Sequence, residues 1–228
     1  MSAALKIPEW QRRPCGLAWP ERLVRCDAVV IGVGAVGRQV ALQLASLRLR
    51  RLTLYDDDRI RPDNLVAEGY WPEDLHRTKV SATANLCRRI QPLLLVTEIA
   101  ERFDQRTHGP ARLGAPVVFC CVDRIRARRE IWASVRRSAL FFVDGRRSAK
   151  ELRAIAVDNP AVDKDYPSTL FACAQQVDLD SAGLALYTAS LVAGLMVHQF
   201  AQWLWGLAVD AELSLTLHAA EFTARKKP

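Results

Sequence analysis

The CxxC spacing is absent from this chain. Its 228 residues contain six cysteines, and no two of them are separated by two residues. A four-cysteine zinc centre therefore has no local pair to build on, and the length excludes a small disulfide scaffold. Free thiols are typical of a reducing compartment, which predicts a cytoplasmic location. The six are Cys15, Cys26, Cys87, Cys120, Cys121 and Cys173.

Two further absences concern the ends of the chain. Met1–Gln11 has no apolar core, so a signal peptide is not expected. Leu184–Val209 has no Asp, Glu, Lys or Arg, which leaves a membrane span open. His198, Gln199 and Gln202 interrupt this stretch, and a single span at the end of an α/β pattern is topologically awkward. A buried or dimer-interface helix is therefore the favoured interpretation, and no membrane partner is expected.

The composition is that of one globular domain. Half of the residues are hydrophobic and a quarter are charged, which is ordinary for a folded protein. We expect a single domain over residues 1–228, with a lead-in at 1–26 and a crossover excursion at 158–183. The net charge of +7 suits phosphates or an acidic protein surface, although a GC-rich genome would also enrich arginine.

Short apolar runs alternate with helical patterns, which predicts an α/β fold. The expected architecture is a doubly wound, Rossmann-like, mostly parallel sheet with helices on both faces and a short antiparallel extension near the C-terminus. Asp56–Glu68 is expected to be a loop because Pro62 would interrupt a helix, and Ala224–Pro228 is expected to be a basic tail. The predicted strands are Ala28–Ile31, Leu52–Tyr55, Leu94–Ile99, Val117–Cys121, Leu140–Val143, Leu152–Val157 and Leu213–Leu217, and the predicted helices are Ala35–Leu49, Lys79–Ile90, Arg126–Arg137 and one from about Leu184.

Gly32, Gly34 and Gly37 form a GxGxxG motif between the first strand and the first helix. In this context the glycines permit a tight turn, close approach of a phosphate, and packing of the helix on the sheet. The helix that begins at Ala35 would direct its N-terminus at the phosphates. Asp56 ends the second strand, 19 residues after Gly37, where an acidic residue binds ribose hydroxyls. The motif predicts a ribonucleotide and leaves both NAD and ATP open.

A longer series of polar residues resembles the ThiF/MoeB/HesA family of the ubiquitin-activating-enzyme superfamily. In that family GxGxxG is followed by Asp-x-Asp, Asn-Leu, a helical lysine, an Asp that ends a strand, and an arginine on the next helix. The resemblance covers roughly Asp27–Val143 and, more loosely, the helix after Leu184. The matching residues are Asp56, Asp58, Asn64, Leu65, Lys79, Asp123 and Arg128.

The resemblance implies an enzyme that uses ATP and Mg²⁺ to adenylate the C-terminal glycine of a small ubiquitin-like or sulfur-carrier protein. It also implies a homodimer and no nucleic-acid partner. Asp56 would bind the ribose, Lys79 would neutralise the phosphates, and Asp123 would hold magnesium. The implied nucleotide-binding residues are Gly32, Gly34, Ala35, Gly37, Asp56, Asp58, Asn64, Lys79, Val122, Asp123 and Arg128, and the implied catalytic residues are Lys79, Asp123, Arg13 and Cys173.

One departure from the family concerns the residues after Asn64. The family usually reads Asn-Leu-x-Arg-Gln, whereas this chain has Ala67 and Glu68 in place of the Arg-Gln pair. Without that arginine, a charge-assisted contact with the outer phosphates is lost. The candidates to compensate are Arg12 and Arg13, because the family often borrows an N-terminal arginine from the partner subunit, and Arg59 and Arg61.

Two other segments are candidate sites by resemblance. Cys173 lies before the last helix, about where some relatives keep a reactive cysteine, and a buried or incidental thiol is the alternative. Asp144-Gly145-Arg146 resembles a segment that lies near the partner's tail in smaller bacterial and phage relatives. Arg146 is therefore a candidate to bind a carboxylate, and a turn with a surface arginine is the alternative.

Three functions remain open at this point. The leading hypothesis is the adenylating enzyme. A catalytically degenerate binding or regulatory subunit is the second, and Ala67 and Glu68 favour it. An NAD-dependent oxidoreductase is the third, since the glycine motif permits it. Lys79, Asp123 and Arg128 at the family's spacing disfavour the third.

Overall fold

The computed structural model describes residues 23, 26–104, 116–148, 150–170 and 182–227, with side chains from residue 186 in the last range. Arg12, Arg13 and Cys173 lie outside the described residues. The elements in chain order are β1 (Asp27–Ile31), α1 (Ala35–Ser46), β2 (Arg51–Tyr55), α2 (Pro62–Glu68), a 3-10 turn (Pro72–Asp74), α3 (Lys79–Ile90), β3 (Leu95–Ile99), β4 (Val117–Cys120), α4 (Ile125–Val135), β5 (Phe141–Arg147), β6 (Glu151–Val157), a second 3-10 turn (Tyr166–Leu170), α5 (Ala182–Leu204), β7 (Glu212–Thr216) and β8 (Glu221–Arg225).

These strands form one sheet in the order β3-β2-β1-β4-β5-β6-β7-β8. The strands from β3 to β5 in this order are parallel, and β6, β7 and β8 extend the sheet in antiparallel fashion. The strand order reverses between β1 and β4, and the crevice at the carboxyl ends of such strands is where α/β sheets bind ligands. The predicted Rossmann-like sheet with a C-terminal antiparallel extension is confirmed.

Helices cover both faces of the sheet, as predicted. Val30 of β1 packs in a cluster that includes Leu44 of α1 and Met196 of α5. Its neighbour Val29 packs on the other face with Trp132 of α4. Because successive strand residues point to opposite faces, a strand that is buried on both sides must be apolar throughout. That is why β1 and β4 could be recognised as continuous apolar runs.

The expected loop over Asp56–Glu68 is wrong in its second half, where α2 forms. Pro62 occupies the first turn of α2, where the helix needs no N–H donor, so its fixed φ favours the helix. The Asn64 side chain accepts a hydrogen bond from the Arg61 N–H at 3.0 Å and caps the helix. A proline that would disrupt a helix interior therefore starts this helix.

The expected basic tail is also wrong in part, because Glu221–Arg225 forms β8 against β7. Glu212 of β7 forms ion pairs with Arg153 of β6 and Arg225 of β8. Cross-strand pairs of opposite charge stabilise antiparallel strands. Arg225 near the end of the chain thus contributes to the pairing of β7 with β8.

The uncharged stretch near the C-terminus forms α5, which packs against α1 and β5. Val192, Met196 and Phe200 are fully buried, which confirms the buried-helix interpretation for the described side chains. Gln199 is also buried, and its amide exchanges two hydrogen bonds with the backbone of Asp210, at 2.9 and 3.2 Å. Within the described ranges, no helix is long and apolar enough to cross a membrane.

Candidate active site

The glycine motif shapes the turn from β1 into α1. Gly32 has φ +86°, and a Cβ there would lie 2.8 Å from the carbonyl oxygen of Cys121. A Cβ on Gly37 would lie 1.8 Å from the carbonyl oxygen of Gly32. Among the described residues, no side chain caps the N-terminus of α1, and its first turn has no acidic residue. The helix therefore presents uncapped N–H groups and a positive dipole end to the crevice.

Asp56 is fixed at the end of β2 by two backbone donors. Its Oδ2 accepts from the Val33 N–H at 2.6 Å, and its Oδ1 accepts from the Asp58 N–H at 2.9 Å. Burial raises the pKa of Asp56, although these hydrogen bonds and Lys79 oppose the rise. The carboxylate is thus held in one orientation beside the glycine turn, as a ribose-binding group requires.

Lys79 lies at the start of α3 with only 5% of its surface exposed. Its Nζ is 3.0 Å from Asp58 Oδ2 and 3.0 Å from Glu68 Oε1. Burial alone would lower the pKa of Lys79, but the two carboxylates outweigh burial and raise it. Lys79 is therefore a buried ammonium group whose charge is balanced by two acids.

Glu68 is the residue whose role the sequence did not reveal. Its Oε1 accepts from Lys79 and from Asn64 Nδ2 at 3.2 Å, and its buried Oε2 has no hydrogen-bond partner among the described residues. Burial raises the pKa of Glu68. Its position eleven residues before Lys79 gives no signal of a contact, because the sequence predicts a loop where α2 forms. Asn64 contacts Glu68 and the α2 backbone and does not line the pocket.

The motif residues surround a pocket of about 440 Å³ at the carboxyl ends of β1, β2 and β4. Of the predicted nucleotide-binding residues, three do not line it: Gly37, Asn64 and Arg128. Gly37 is packed beneath the glycine turn. The predicted residues that line the pocket are Gly32, Gly34, Ala35, Asp56, Asp58, Lys79, Val122 and Asp123, and side chains not predicted there include Glu68, Arg102, Phe103, Arg124, Glu130 and Arg147.

Arg128 holds the loop after β4 rather than lining the pocket. Its Nε donates to Asp144 at 2.8 Å, its Nη1 to the Asp123 carbonyl at 2.8 Å, and its Nη2 to the Gly145 carbonyl at 2.9 Å. Burial would lower the pKa of Arg128, but Asp144 outweighs burial and raises it. Arg128 therefore fixes the backbone that carries the exposed Asp123 carboxylate.

The hypothesis that Arg146 binds a substrate carboxylate is not supported, because its partners are internal. Arg146 Nε donates to Asp144 at 2.7 Å, and its Nη1 and Nη2 donate to Thr169 at 2.9 and 2.8 Å. The next residue, Arg147, lines the pocket instead. Arg59 donates to the His76 carbonyl and Arg61 pairs with Asp63, so neither compensates within the pocket for the missing family arginine.

Carboxylate oxygens suitable for a magnesium ion occur at the end of β2. Ligand oxygens of Asp56, Asp57 and Asp58 lie within 4.8 Å of one another. Asp123, in the loop after β4, lines the same pocket but does not belong to this group of three aspartates. Hard oxygen donors of this kind are what Mg²⁺ prefers, so the residues present fit the ion.

We expect three of the four buried cysteines in the described part of the chain to be chemically inert in the folded protein. Burial raises the pKa of Cys87 to about 12 and that of Cys120 and Cys121 well above the usual range. Because the thiolate is the nucleophile, all three should escape iodoacetamide near neutral pH and react once the protein is denatured. Mass mapping of the alkylated peptides measures this. Rapid labelling of any of the three in the native protein would contradict the burial described here.

Comparison with known proteins identifies the family. The model of the ThiF family matches residues 10–226. The chain belongs to the ThiF family. It is 29% identical over 115 residues to the sulfur carrier protein ThiS adenylyltransferase of Escherichia coli K12, an alignment that covers 50% of this chain and 46% of that protein. It is 30% identical over 126 residues to ubiquitin-like modifier-activating enzyme 5 of Drosophila simulans, covering 50% of this chain and 31% of that one.

Two solved structures share the fold of this ThiF-family chain over 90% of its length. PaaA superposes with a TM-score of 0.73 at 18% identity, over 90% of this chain and 74% of that one. Escherichia coli MccB with MccA-N7isoASN gives a TM-score of 0.72 at 12% identity, over 90% of this chain and 66% of that one. At 18% and 12% sequence identity, these superpositions show only that the fold is shared. The chain spans less than half the length of the two curated relatives above.

Proposed function

We propose that this ThiF-family protein adenylates the C-terminal glycine of a small ubiquitin-like or sulfur-carrier protein, with ATP and Mg²⁺. The observation that carries the proposal is the buried Lys79 ammonium group beside the glycine turn and Asp56. A cation at this place would offset the negative charge of a polyphosphate, which suits ATP. Its relatives named as adenylyltransferase and modifier-activating enzyme favour the same chemistry.

In the proposed reaction, an oxygen of the glycine carboxylate attacks the α-phosphorus of ATP. The bond between that phosphorus and the bridging oxygen of pyrophosphate breaks, which yields the acyl adenylate and pyrophosphate. Both reactants are anionic, so the pocket must neutralise charge and align them. Lys79 and the N-terminus of α1 would neutralise the phosphates, Asp56 would orient the ribose, and Arg128 would position the Asp123 backbone.

Magnesium would be held by carboxylates that line the pocket. Asp123 remains the proposed ligand from β4, and Asp58 is a second carboxylate on the same pocket. When bound, the ion would screen the charge of the phosphates. Arg13 of a partner subunit and a thioester-forming Cys173 are kept as proposals from the family resemblance, as are the homodimer and the cytoplasmic location.

The test is ATP–pyrophosphate exchange with the purified protein and a small ubiquitin-like or sulfur-carrier protein that ends in glycine. We expect exchange that requires both ATP and the carrier. The matched control is the same carrier without its C-terminal glycine, which should support no exchange because the attacking carboxylate is misplaced. Binding of ATP without exchange would overturn the enzymatic proposal, and tight NAD binding without ATP binding would favour an oxidoreductase.

A degenerate binding subunit is the second candidate, and Glu68 is the observation that favours it. This carboxylate occupies the pocket and pairs with Lys79, while the neighbouring Ala67 supplies no cation. Such a pocket would bind a nucleotide less tightly than one with an arginine at that position. Nucleotide binding without exchange is the result expected for this candidate.

A further inference from the structure

We propose that Arg147 binds the β- and γ-phosphates of the nucleotide in this pocket. The inference rests on the proposed function, since it names the residue that makes a triphosphate preferable to a monophosphate. It starts from the charge of Lys79, whose Nζ lies 3.0 Å from two carboxylates. Glu68 and Asp58 beside it offset part of that charge, so Lys79 alone does not match the charge of a triphosphate. A triphosphate therefore requires another cation.

Arg147 is placed to supply that cation. It ends β5, is half-buried, and lines the pocket that Ala67 and Glu68 of α2 also line. Its Nη1 lies 3.5 Å from Thr188 Oγ1 on α5, which anchors the side chain. Burial lowers the pKa of Arg147, and the charges that oppose this effect are those of Asp123 and Glu68. The guanidinium thus lies near Asp123 and Glu68, which line the same pocket.

Two other arginines line the pocket but suit the role less well. Arg102 and Arg124 are both exposed, so solvent screens their charges. Arg102 also precedes Phe103, whose ring packs edge-on against Tyr55 at the end of β2, near the ribose-binding Asp56. A half-buried guanidinium makes stronger, geometrically defined contacts with phosphate oxygens than an exposed one.

The test compares the affinities of the full-length protein for ATP and AMP by calorimetry. Arg147→Met keeps the apolar stem and removes the charge, so we expect ATP affinity to fall about tenfold or more. AMP affinity should change less than about twofold, because AMP lacks the outer phosphates. Arg51→Met is the matched control, since Arg51 is exposed, pairs with Asp27 and lies outside the pocket. It should leave both affinities unchanged.

A rescue variant sharpens the test. Ala67 also lines the pocket, so Ala67→Arg in the Arg147→Met background returns a cation to it and should restore most of the ATP preference. An unchanged ratio of ATP to AMP affinity in Arg147→Met overturns the inference alone. Equal loss of AMP and ATP binding shows a structural role and also overturns it. Failure of the unaltered protein to bind ATP overturns both this inference and the proposed function.

A different role for Arg147 predicts a different result in the exchange assay. If Arg147 binds the carboxylate of the carrier, Arg147→Met raises KM for the carrier in the exchange assay and leaves the ATP-to-AMP ratio unchanged. That result would likewise overturn the phosphate role. The two readouts therefore separate the two anionic groups that enter this pocket.

Discussion

Replacing Lys79 by methionine is expected to lower the rate of ATP–pyrophosphate exchange by about 10²-fold or more. Removing one preorganised donor that stabilises developing charge costs about that much in other enzymes. Lys79 is nearly fully buried and lines the pocket, so its ammonium group is held in place before the nucleotide binds. Exchange kinetics at saturating ATP measure the effect. Lys164→Met, which removes an exposed lysine outside the pocket, is the control and should be silent.

The Lys79 variant needs a second control because Lys79 also balances the charge of Glu68. Loss of Lys79 alone leaves a buried carboxylate without its cation, which destabilises the fold. The double variant Lys79→Met/Glu68→Gln removes both charges. We expect it to recover the Tm of the unaltered protein without recovering exchange. Exchange by the folded double variant within about threefold of the unaltered rate would show that Lys79 is not needed for catalysis.

The largest loss of stability is expected for Asp144→Asn, at about 3–5 kcal/mol in the free energy of unfolding. Asp144 is fully buried and pairs with Arg128 at 2.8 Å and Arg146 at 2.7 Å. The Tyr166 hydroxyl also donates to it at 3.1 Å. Asparagine keeps the shape but leaves two buried guanidinium groups without an anion. Denaturant unfolding followed by tryptophan fluorescence measures the change.

Asp27→Asn is the matched control for Asp144→Asn. Asp27 also pairs with an arginine, Arg51, at 3.4 Å, but about half of each side chain is exposed. Exposed ion pairs contribute about 0–1 kcal/mol, so this variant should be nearly neutral. Equal effects of the two substitutions would contradict the assignment of Asp144 as the central anion of a buried network. The Asp144 variant should also weaken nucleotide binding, because Arg128 fixes the Asp123 backbone.

The course of β5 shows what the sequence could and could not decide about the site. The apolar pattern predicts a strand that ends at Val143, and with that boundary Arg146 belongs to a loop. The strand in fact continues to Arg147. Strand alternation then places Asp144 and Arg146 on one face and Gly145 on the other, where a Cβ would lie 2.4 Å from Met196 Sδ. Polar residues in the second half of β5 do not fit the apolar pattern of a buried strand. They are buried only because they have partners on α4 and the second 3-10 turn.

The error at α2 has a similar origin. Proline breaks a helix in its interior but is favoured in the first turn, and Pro62 lies in the first turn. Once α2 forms, Glu68 lies next to Lys79, a contact between two elements. No periodicity within either segment predicts that contact, since it is made by the folding of α2 over the carboxyl end of the sheet.

The fold class and the position of the pocket can be predicted from the amino-acid sequence. Apolar runs buried on both faces and the spacing of the glycines between strand and helix are patterns within short segments, and they can be read residue by residue. The tertiary structure was needed to place the charges. It paired Lys79 with Glu68, turned Arg128 and Arg146 inward onto Asp144, and left Arg147 at the pocket. The reason is that an ion pair depends on distance in space, and these partners come from different elements of the sheet and its helices.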